Sequence, residues 1–497
     1  MSKESPLKVL IVGAEVSPYA NVGGQARVLG FLSKALVDLG VDARVFMPKF
    51  GFIDESEYKT DIVVKGFKVP TGHLKKDPKD LICNVKLSKL PDFAPTYFLE
   101  NMEYYEKRAN VYGYSDDPIR WALLSRGLLE FIKRSKWVPD IIHANDWHTG
   151  LIPNFMRGAY LEDKVISKIS SVFTIHNLSF QGNFDHKNVS DMDFDDGKSE
   201  ISAFFNDTLK KQNFMKRGII YADAVNTVSD TYSREILTPE YGEGLENLLL
   251  ELRSKMFGIV NGLDYLEFNP KTDKFISHNY DKESLDIRPK NKLELQKEFG
   301  LEQDVKIPVL SYSGRLDSQK GLELIFAILW PLLRDFNVQF VQIGGGDGRY
   351  IEILKKLKDK FPDKVGIHPM PNFTLPRLVF AGADMILLPS KFEPCGIVQL
   401  EAMRYGCIPV VRATGGLGDT VKNFDPDDGE GYGFSFKEYD KWQFFAQVVR
   451  AIETYRHKKV WKKLQERAMA QDFSWESSAK EYIKLYEKAI YFHKSAA

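Results

Sequence analysis

The sequence predicts an α/β protein built from two Rossmann-like domains, and three observations carry that prediction. β-branched, apolar runs alternate with longer helical patterns from KVLIVGA (8–14) onward, which is the grammar of β-α-β units. A second alternating series begins at VKIPVLSYSG (305–314). The chain of 497 residues also exceeds what one hydrophobic core usually organises.

In the first series, KVLIVGA leads to an amphipathic helix near 24–39 and then to the strand DARVFMP (42–48). RWALLSRGLLEFIKR (120–134) has helical periodicity and precedes two further strands, PDIIHA (139–144) and SSVFTI (170–175). The second series continues through VQFVQIGG, DMILLP (384–389) and CIPVVRA (407–413). Periodicity breaks at Gly, Asn and Pro in GIVNGLDYLEFNPKTD (258–273). The expected division is therefore a domain over 1–262, a second over 263–474, and a last helix within 475–497 that on periodicity alone suits either domain.

Composition narrows the function classes. Hydrophobic residues at 43% and charged residues at 27% are ordinary for a globular protein. Lys plus Arg equals Asp plus Glu at 68 each, so no global field recruits nucleic acid or an anionic membrane, and any anion must be held by local chemistry. Cys83, Cys395 and Cys407 are too few and scattered for a disulfide framework or a tetrahedral zinc site, which points to a reducing compartment, most simply the cytoplasm. The first apolar run is interrupted by Glu15 and Pro18, unlike a signal peptide, and no stretch approaches the roughly 18 apolar residues of a membrane span.

The richest segment is PSKFEPCGIVQLEAMRYGCIPVVRATGGLG (389–418). It sets Glu393 and Glu401 at an E-x7-E spacing, with a helix expected from Gly396 to Tyr405 and a turn at Thr414-Gly415-Gly416. Both loops open at carboxyl ends of parallel strands, where α/β sheets bind ligands, and glycines there let backbone N–H groups approach phosphate oxygens. In GRLDSQKG (314–321), Arg315 and Lys320 offer a rigid donor fork and a mobile ammonium. Alone they fit a solvated loop equally well; beside EPCG and TGG, phosphate binding is the better reading.

HANDWHTG (143–150) holds two histidines, but at i and i+5 on a strand end they make a poor metal pair. Two readings fit: groups lining a sugar pocket, with Asp146 accepting from hydroxyls, or satisfied polar groups at a domain interface. FTIHNLSFQG (173–182) places His176 and Asn177 at a loop tip. GGGDG (344–348) lacks the G-x-G-x-x-G spacing and is expected as a strand-to-helix turn. DMDFDDG (191–197) is superficially like a calcium loop, but its glycine falls one place late and position twelve is Ser202, so a solvated loop is expected.

Taken together, these residues resemble the bacterial glycogen synthases and plant starch synthases. The resemblance runs in order through Gly23-Gly24, YGYSDDPIRWALLSR (112–126), HANDWHTG, TIHNLSFQG, NTVSDTYSREI (226–236), GIVNGLD (258–264), GRLDSQKGL, FEPCG and RATGGLGDTV (412–421). It implies the GT-B architecture: two Rossmann-like domains facing a deep interdomain cleft, the last helix crossing back to an acceptor-binding N-terminal domain, and a donor-binding C-terminal domain. It further implies retaining transfer of glucose from ADP-glucose to the non-reducing end of an α-1,4-glucan, with no metal or organic cofactor.

By the same resemblance Arg315 and Lys320 match diphosphate ligands, and Glu393 matches the carboxylate that contacts the donor glucose. His176 matches the residue whose backbone carbonyl lies beneath the anomeric centre, and Asp146 and Asn261 match sugar contacts. Gly23, Gly24, Cys395, Gly396, Thr414, Gly415 and Gly416 fall in the donor-binding segments. Glu401 is expected on the ribose, with a plain helix carboxylate as the alternative. Tyr112, Tyr114 and Asn177 are candidates for the acceptor, with packing as the alternative for the tyrosines.

Two departures stand out. Where the family commonly reads K-x-G-G-L-[AG]-D, this chain has Asn21-Val22-Gly23-Gly24-Gln25-Ala26-Arg27, without the lysine and with the aspartate's charge reversed. Losing a charge-assisted hydrogen bond costs about tenfold to a hundredfold in affinity. Pro371 stands near where an aromatic is common, with Phe373 as a substitute. These departures keep two alternatives open: a catalytically weakened glucan-binding or regulatory protein, and a glycosyltransferase that uses UDP-glucose.

Overall fold

The computed structural model describes residues 5–72, 80–184, 195–201 and 203–496. Its contacts divide the chain into two units: residues 1–228, 233–262 and 475–497 in the first, and residues 229–232 with 263–474 in the second.

The first unit is built on a nine-stranded sheet in the order β3-β4-β5-β2-β1-β6-β7-β8-β9. The parallel part comprises β1 (Lys8–Val12), β2 (Asp42–Pro48), β5 (Thr96–Glu100), β6 (Ile141–Asn145), β7 (Ser170–Ile175), β8 (Ala224–Thr227) and β9 (Met256–Gly258). β3 (Thr60–Val69) and β4 (Leu81–Ser88) extend the sheet in antiparallel fashion beyond β5. The central strands are buried along almost their whole length because helices cover both faces, and the polar side chains they carry, such as His143, Thr174 and Asn226, are hydrogen-bonded inside. Helix Gly24–Asp38 turns Ala26, Leu29, Leu32 and Leu36 inward, and Asp117–Ile132, with Pro118 in its first turn, is buried almost all round.

Helix Trp475–Ala496 belongs to this unit, although the second unit intervenes in sequence. It packs on helix Gly24–Asp38 and on β7 and β8. Trp475 stacks on Phe31, and Tyr486 hydrogen-bonds His143 beneath the sheet. No helix of the described residues is long and apolar enough to cross a membrane.

The second unit carries a six-stranded, wholly parallel sheet in the order β12-β11-β10-β13-β14-β15. Its strands are β10 (Val309–Ser313), β11 (Gln339–Ile343), β12 (Val365–His368), β13 (Met385–Leu388), β14 (Ile408–Arg412) and β15 (Phe434–Phe436). GGGDG forms the expected strand-to-helix turn, with Asp347 capping helix Gly348–Lys360.

Three local expectations are corrected. The helix expected from Gly396 begins only at Val398, because Gly396 adopts φ +74°, outside the right-handed helical region. Thr414-Gly415-Gly416 is more than a turn: it opens a short helix, Gly415–Thr420, directly after Thr414. The acidic stretch is not simply solvated, since Asp195 is buried in a two-point ion pair with Arg217, at 2.6 and 2.9 Å. Asp191, Asp193 and Ser202 lie outside the described residues.

Candidate active site

Each sheet reverses its strand order once near its middle, between β1 and β6 in the first unit and between β10 and β13 in the second. Loops at the carboxyl ends of those strands diverge and leave a crevice. Gly23, Asp146, Arg315, Lys320, Glu393, Cys395 and Gly396 fall on these loops or their edges, whereas His176 and Asn177 follow β7, Asn261 follows β9 and Thr414-Gly415-Gly416 follow β14.

In the first unit, the chain leaving β1 places Glu15 under the loop that precedes helix Gly24–Asp38. Its carboxylate accepts from the Val22 N–H at 2.7 Å and from the Gly23 N–H at 2.9 and 3.1 Å. A Cβ at Gly23 would stand 2.9 Å from Glu15 Oε1, so glycine permits this approach. Burial pushes the Glu15 carboxyl above its ordinary range, opposed by those N–H groups and by Tyr112. Gly24 opens the helix.

At the end of β6, Asp146 sits at φ +57°, a left-handed conformation rare outside glycine. Its Oδ1 accepts from the His176 N–H at 2.8 Å, and the Gln25 side-chain amide approaches Oδ2 at 3.4 Å. Desolvation pushes the Asp146 carboxyl up to about 7, against hydrogen bonds from the backbone of His176 and Asn177.

The His176 ring is oriented by Asn145. The Asn145 amide nitrogen donates to the carbonyls of Val12 and His143, at 3.1 and 3.0 Å, which turns its oxygen toward His176 Nε2 at 2.9 Å. His176 Nε2 therefore carries the hydrogen. Burial pushes the imidazole down to about 3, so it is neutral across the working range.

Of the remaining first-unit candidates, Asn261 is buried and its side-chain oxygen has no hydrogen-bond partner among the described residues. Asn177 caps its own loop, accepting from the Ser179 N–H at 3.0 Å. Tyr112 packs on the His148 ring at 4.9 Å, whereas Tyr114 lies between the guanidinium groups of Arg120 and Arg108, at 4.9 and 5.0 Å. In HANDWHTG the side chains divide, and His143 lies in the core of the first unit rather than at a domain interface. His143 is a core group bonded to Tyr486 and to Thr174, while Asp146 faces the loop cluster.

In the second unit, β10 leads into Arg315 and Lys320, and β13 into Glu393. Gly321 has φ +67°, and a Cβ there would stand 1.9 Å from the Pro389 carbonyl oxygen. This contact brings the Lys320 ammonium to 2.7 Å from Glu393 Oε2, which also accepts from Ser390 Oγ at 3.1 Å. The Arg315 side chain is 74% exposed and meets Asp317 at 3.5 Å, leaving its donors accessible.

The glycine pair after β14 closes the cluster. Gly415 has φ +46°, and its absent Cβ would fall 2.0 Å from the Glu393 carbonyl oxygen; that of Gly416 would fall 2.0 Å from the Cys395 oxygen. The Gly416 N–H donates to Glu393 O at 3.1 Å. The Gln399 amide ties the carbonyls of Cys395 and Gly396 to the Thr420 hydroxyl. Glu401 is half-buried on helix Val398–Arg404, on a different element from Glu393. Phe373 is 94% exposed.

Glu15, Asn145, Ser390 and Gln399 were not among the sequence candidates. Glu15 carried one usable signal, an acid on the connection that runs from a buried strand to a glycine pair. The other three act only through partners brought close by the fold.

Residues 8–251 match the family described as Starch synthase catalytic domain, and residues 295–470 match Glycosyl transferases group 1. The glycogen synthase of Caldicellulosiruptor bescii is 42% identical over 488 residues, covering 97% of this chain and 100% of its own. That of Thermosipho melanesiensis is 41% identical over 485 residues, covering 97% and 99%. Among solved structures, the catalytic domain of Starch Synthase IV from Arabidopsis thaliana, bound to ADP and acarbose, is 30% identical with a TM-score of 0.82, covering 98% of this chain and 100% of that one. Sucrose-phosphate synthase from Thermosynechococcus elongatus, at 18% identity and a TM-score of 0.55 over 97% and 98% of the two chains, shares the fold. With relatives this similar over nearly their full lengths, the chain belongs to the glycogen and starch synthase family of GT-B glucan glucosyltransferases.

Proposed function

We propose that the protein transfers glucose from ADP-glucose to the non-reducing end of an α-1,4-glucan, with retention at the anomeric carbon, as a cytoplasmic enzyme. The observation that carries this reading is the Lys320 ammonium 2.7 Å from the Glu393 carboxylate. A cation for a leaving phosphate and an acceptor for sugar hydroxyls stand side by side there.

In the second unit, Arg315 and Lys320 neutralise the departing diphosphate, and Glu393 fixes the donor glucose. In the first unit, the His176 backbone carbonyl stabilises positive charge at the anomeric carbon, while Asp146 and Asn261 hold sugar hydroxyls. Charge develops on the diphosphate and the anomeric carbon, so preorganised donors and acceptors do the catalytic work without a covalent nucleophile. The Arabidopsis starch synthase bound to ADP and acarbose supports the choice of adenine nucleotide and α-glucan.

The test is transfer of labelled glucose to glycogen from ADP-glucose and, separately, from UDP-glucose, with Glu393→Ala as control. Activity with ADP-glucose that vanishes in the variant is expected. Activity with UDP-glucose alone overturns the donor assignment, and silence with both in a folded protein that still binds glycogen overturns the enzyme reading. Because two side-chain cations supply the positive charge, exhaustive treatment with EDTA is expected to leave the rate unchanged; a loss restored by a divalent cation refutes that part.

A further inference from the structure

The loop Val22–Gly24 is arranged unlike a phosphate cradle. The N–H groups of Val22 and Gly23 already have an acceptor, and that acceptor is the buried carboxylate of Glu15. An incoming phosphate would meet these amides from behind an anion. Residue 21 is an asparagine whose side chain reaches the Pro18 carbonyl at 3.4 Å, so it brings no charge.

The same arrangement sets the first turn of helix Gly24–Asp38. Gln25, 9% exposed, turns its amide toward Asp146 Oδ2, while the His176 N–H holds Oδ1. The groups facing Asp146 are thus Gln25, the backbone of His176 and Asn177, and the carboxylate of Glu15 acting at longer range. Tyr112 lies against Glu15, and the His176 imidazole is neutral. No cation is among these groups, so neutral N–H donors alone orient the Asp146 carboxylate.

We propose that Gln25 is a positioning residue for Asp146, holding its second carboxylate oxygen, and that the Glu15-anchored glycine loop is the brace that sets Gln25 in place. The inference rests on the glucosyltransferase reading for its kinetic consequence, but not for its physical one. Without an N–H donor, a carboxylate loses stabilisation of its charged form, so its protonation moves to higher pH.

The test compares Gln25→Leu and Gln25→Glu with the parent protein, melting temperature serving as the check on folding. With ADP-glucose and glycogen, Gln25→Leu is expected to lose about tenfold in kcat with KM nearly unchanged. The acidic limb of its pH profile should rise by about one unit. Gln25→Glu, which sets a second carboxylate against Asp146, should move the limb further. Parallel profiles, or a uniform loss with no movement of the limb, overturn the proposal.

Carboxyl carbon NMR of aspartate-labelled protein, assigned with Asp146→Asn, gives a readout independent of turnover. Asp146 should titrate at higher pH in Gln25→Leu than in the parent, and an unchanged midpoint refutes the positioning role of Gln25 even if the parent transfers no glucose. Should Gln25→Leu fail to fold, Gln25→Asn withdraws the amide by one methylene and is expected to move the midpoint the same way.

Discussion

Gly415 is where one missing carbon atom sets the geometry of Glu393. Its φ of +46° is costly for any L side chain, and its Cβ would lie 2.0 Å from a backbone oxygen that has no room to retreat. Gly415→Ala is therefore expected to lose about 2 kcal/mol or more of stability and to displace the Glu393 loop. A lowered melting midpoint together with a more than tenfold loss of activity would bear this out, and unaltered activity would refute it. Arg315, Lys320 and Glu393 were legible in the sequence because each closely follows a recognisable strand, where an α/β sheet exposes its ligands. Glu15 and Asn145 were not, since Glu15 meets Val22 and Gly23 only where the irregular loop after β1 folds back on itself, Asn145 meets Val12 on β1 and His176 after β7, and periodicity carries no trace of either approach. Likewise nothing local in HANDWHTG distinguished His143, which the Tyr486 hydroxyl claims for the core, from the more open Asp146.

Among elements, the strands were read closest to their true limits, because short runs rich in β-branched and apolar residues, bounded by loop signals and buried on both faces, leave little choice of conformation. Helix starts were read less well where positive-φ glycines decide them, as at Gly396. The end of helix Trp475–Ala496 offers a sharper test. His493 sets Nδ1 at 3.2 Å from Asp223 and Nε2 at 3.0 Å from the Ser167 carbonyl, with the Arg157 guanidinium on the same carboxylate. The hydrogen bond to Asp223 raises the imidazole above its ordinary 6.5. Since the folded value is the higher one, the stabilisation is complete below the unfolded value and is lost as pH rises through the folded one. A charge of this kind at a helix C-terminus contributes about 0.3–1 kcal/mol. His493→Gln is thus expected to melt about 1–4 °C below the parent near pH 6, with the gap closing at alkaline pH. A gap that widens on raising the pH would contradict the assignment.

For the whole molecule, the division into two α/β units was legible as two series of strand and helix patterns. The allegiance of the last helix was not, because an amphipathic face does not reveal which sheet it covers. Its buried face includes Trp475, Tyr482, Leu485 and Tyr486. Each large side chain contributes about 1.5–3 kcal/mol on burial, a sum comparable with the about 5–15 kcal/mol that stabilises a typical domain. Ending the chain after Ser474 is therefore expected to unfold the first unit and spare the second, as two calorimetric transitions reduced to one. Retention of both would show that the helix is dispensable.

That helix also reverses the order in which a ribosome can finish its work. Roughly 200 residues of the second unit are made between Gly262 and Trp475. At about 5–20 residues per second, the unit begun first waits about 10–40 s for its final helix. During that interval the faces of β7, β8 and helix Gly24–Asp38 stand uncovered on the nascent chain. The half of the protein that emerges last is thus the first able to complete its fold, and the half that emerges first is the natural client for a holding chaperone.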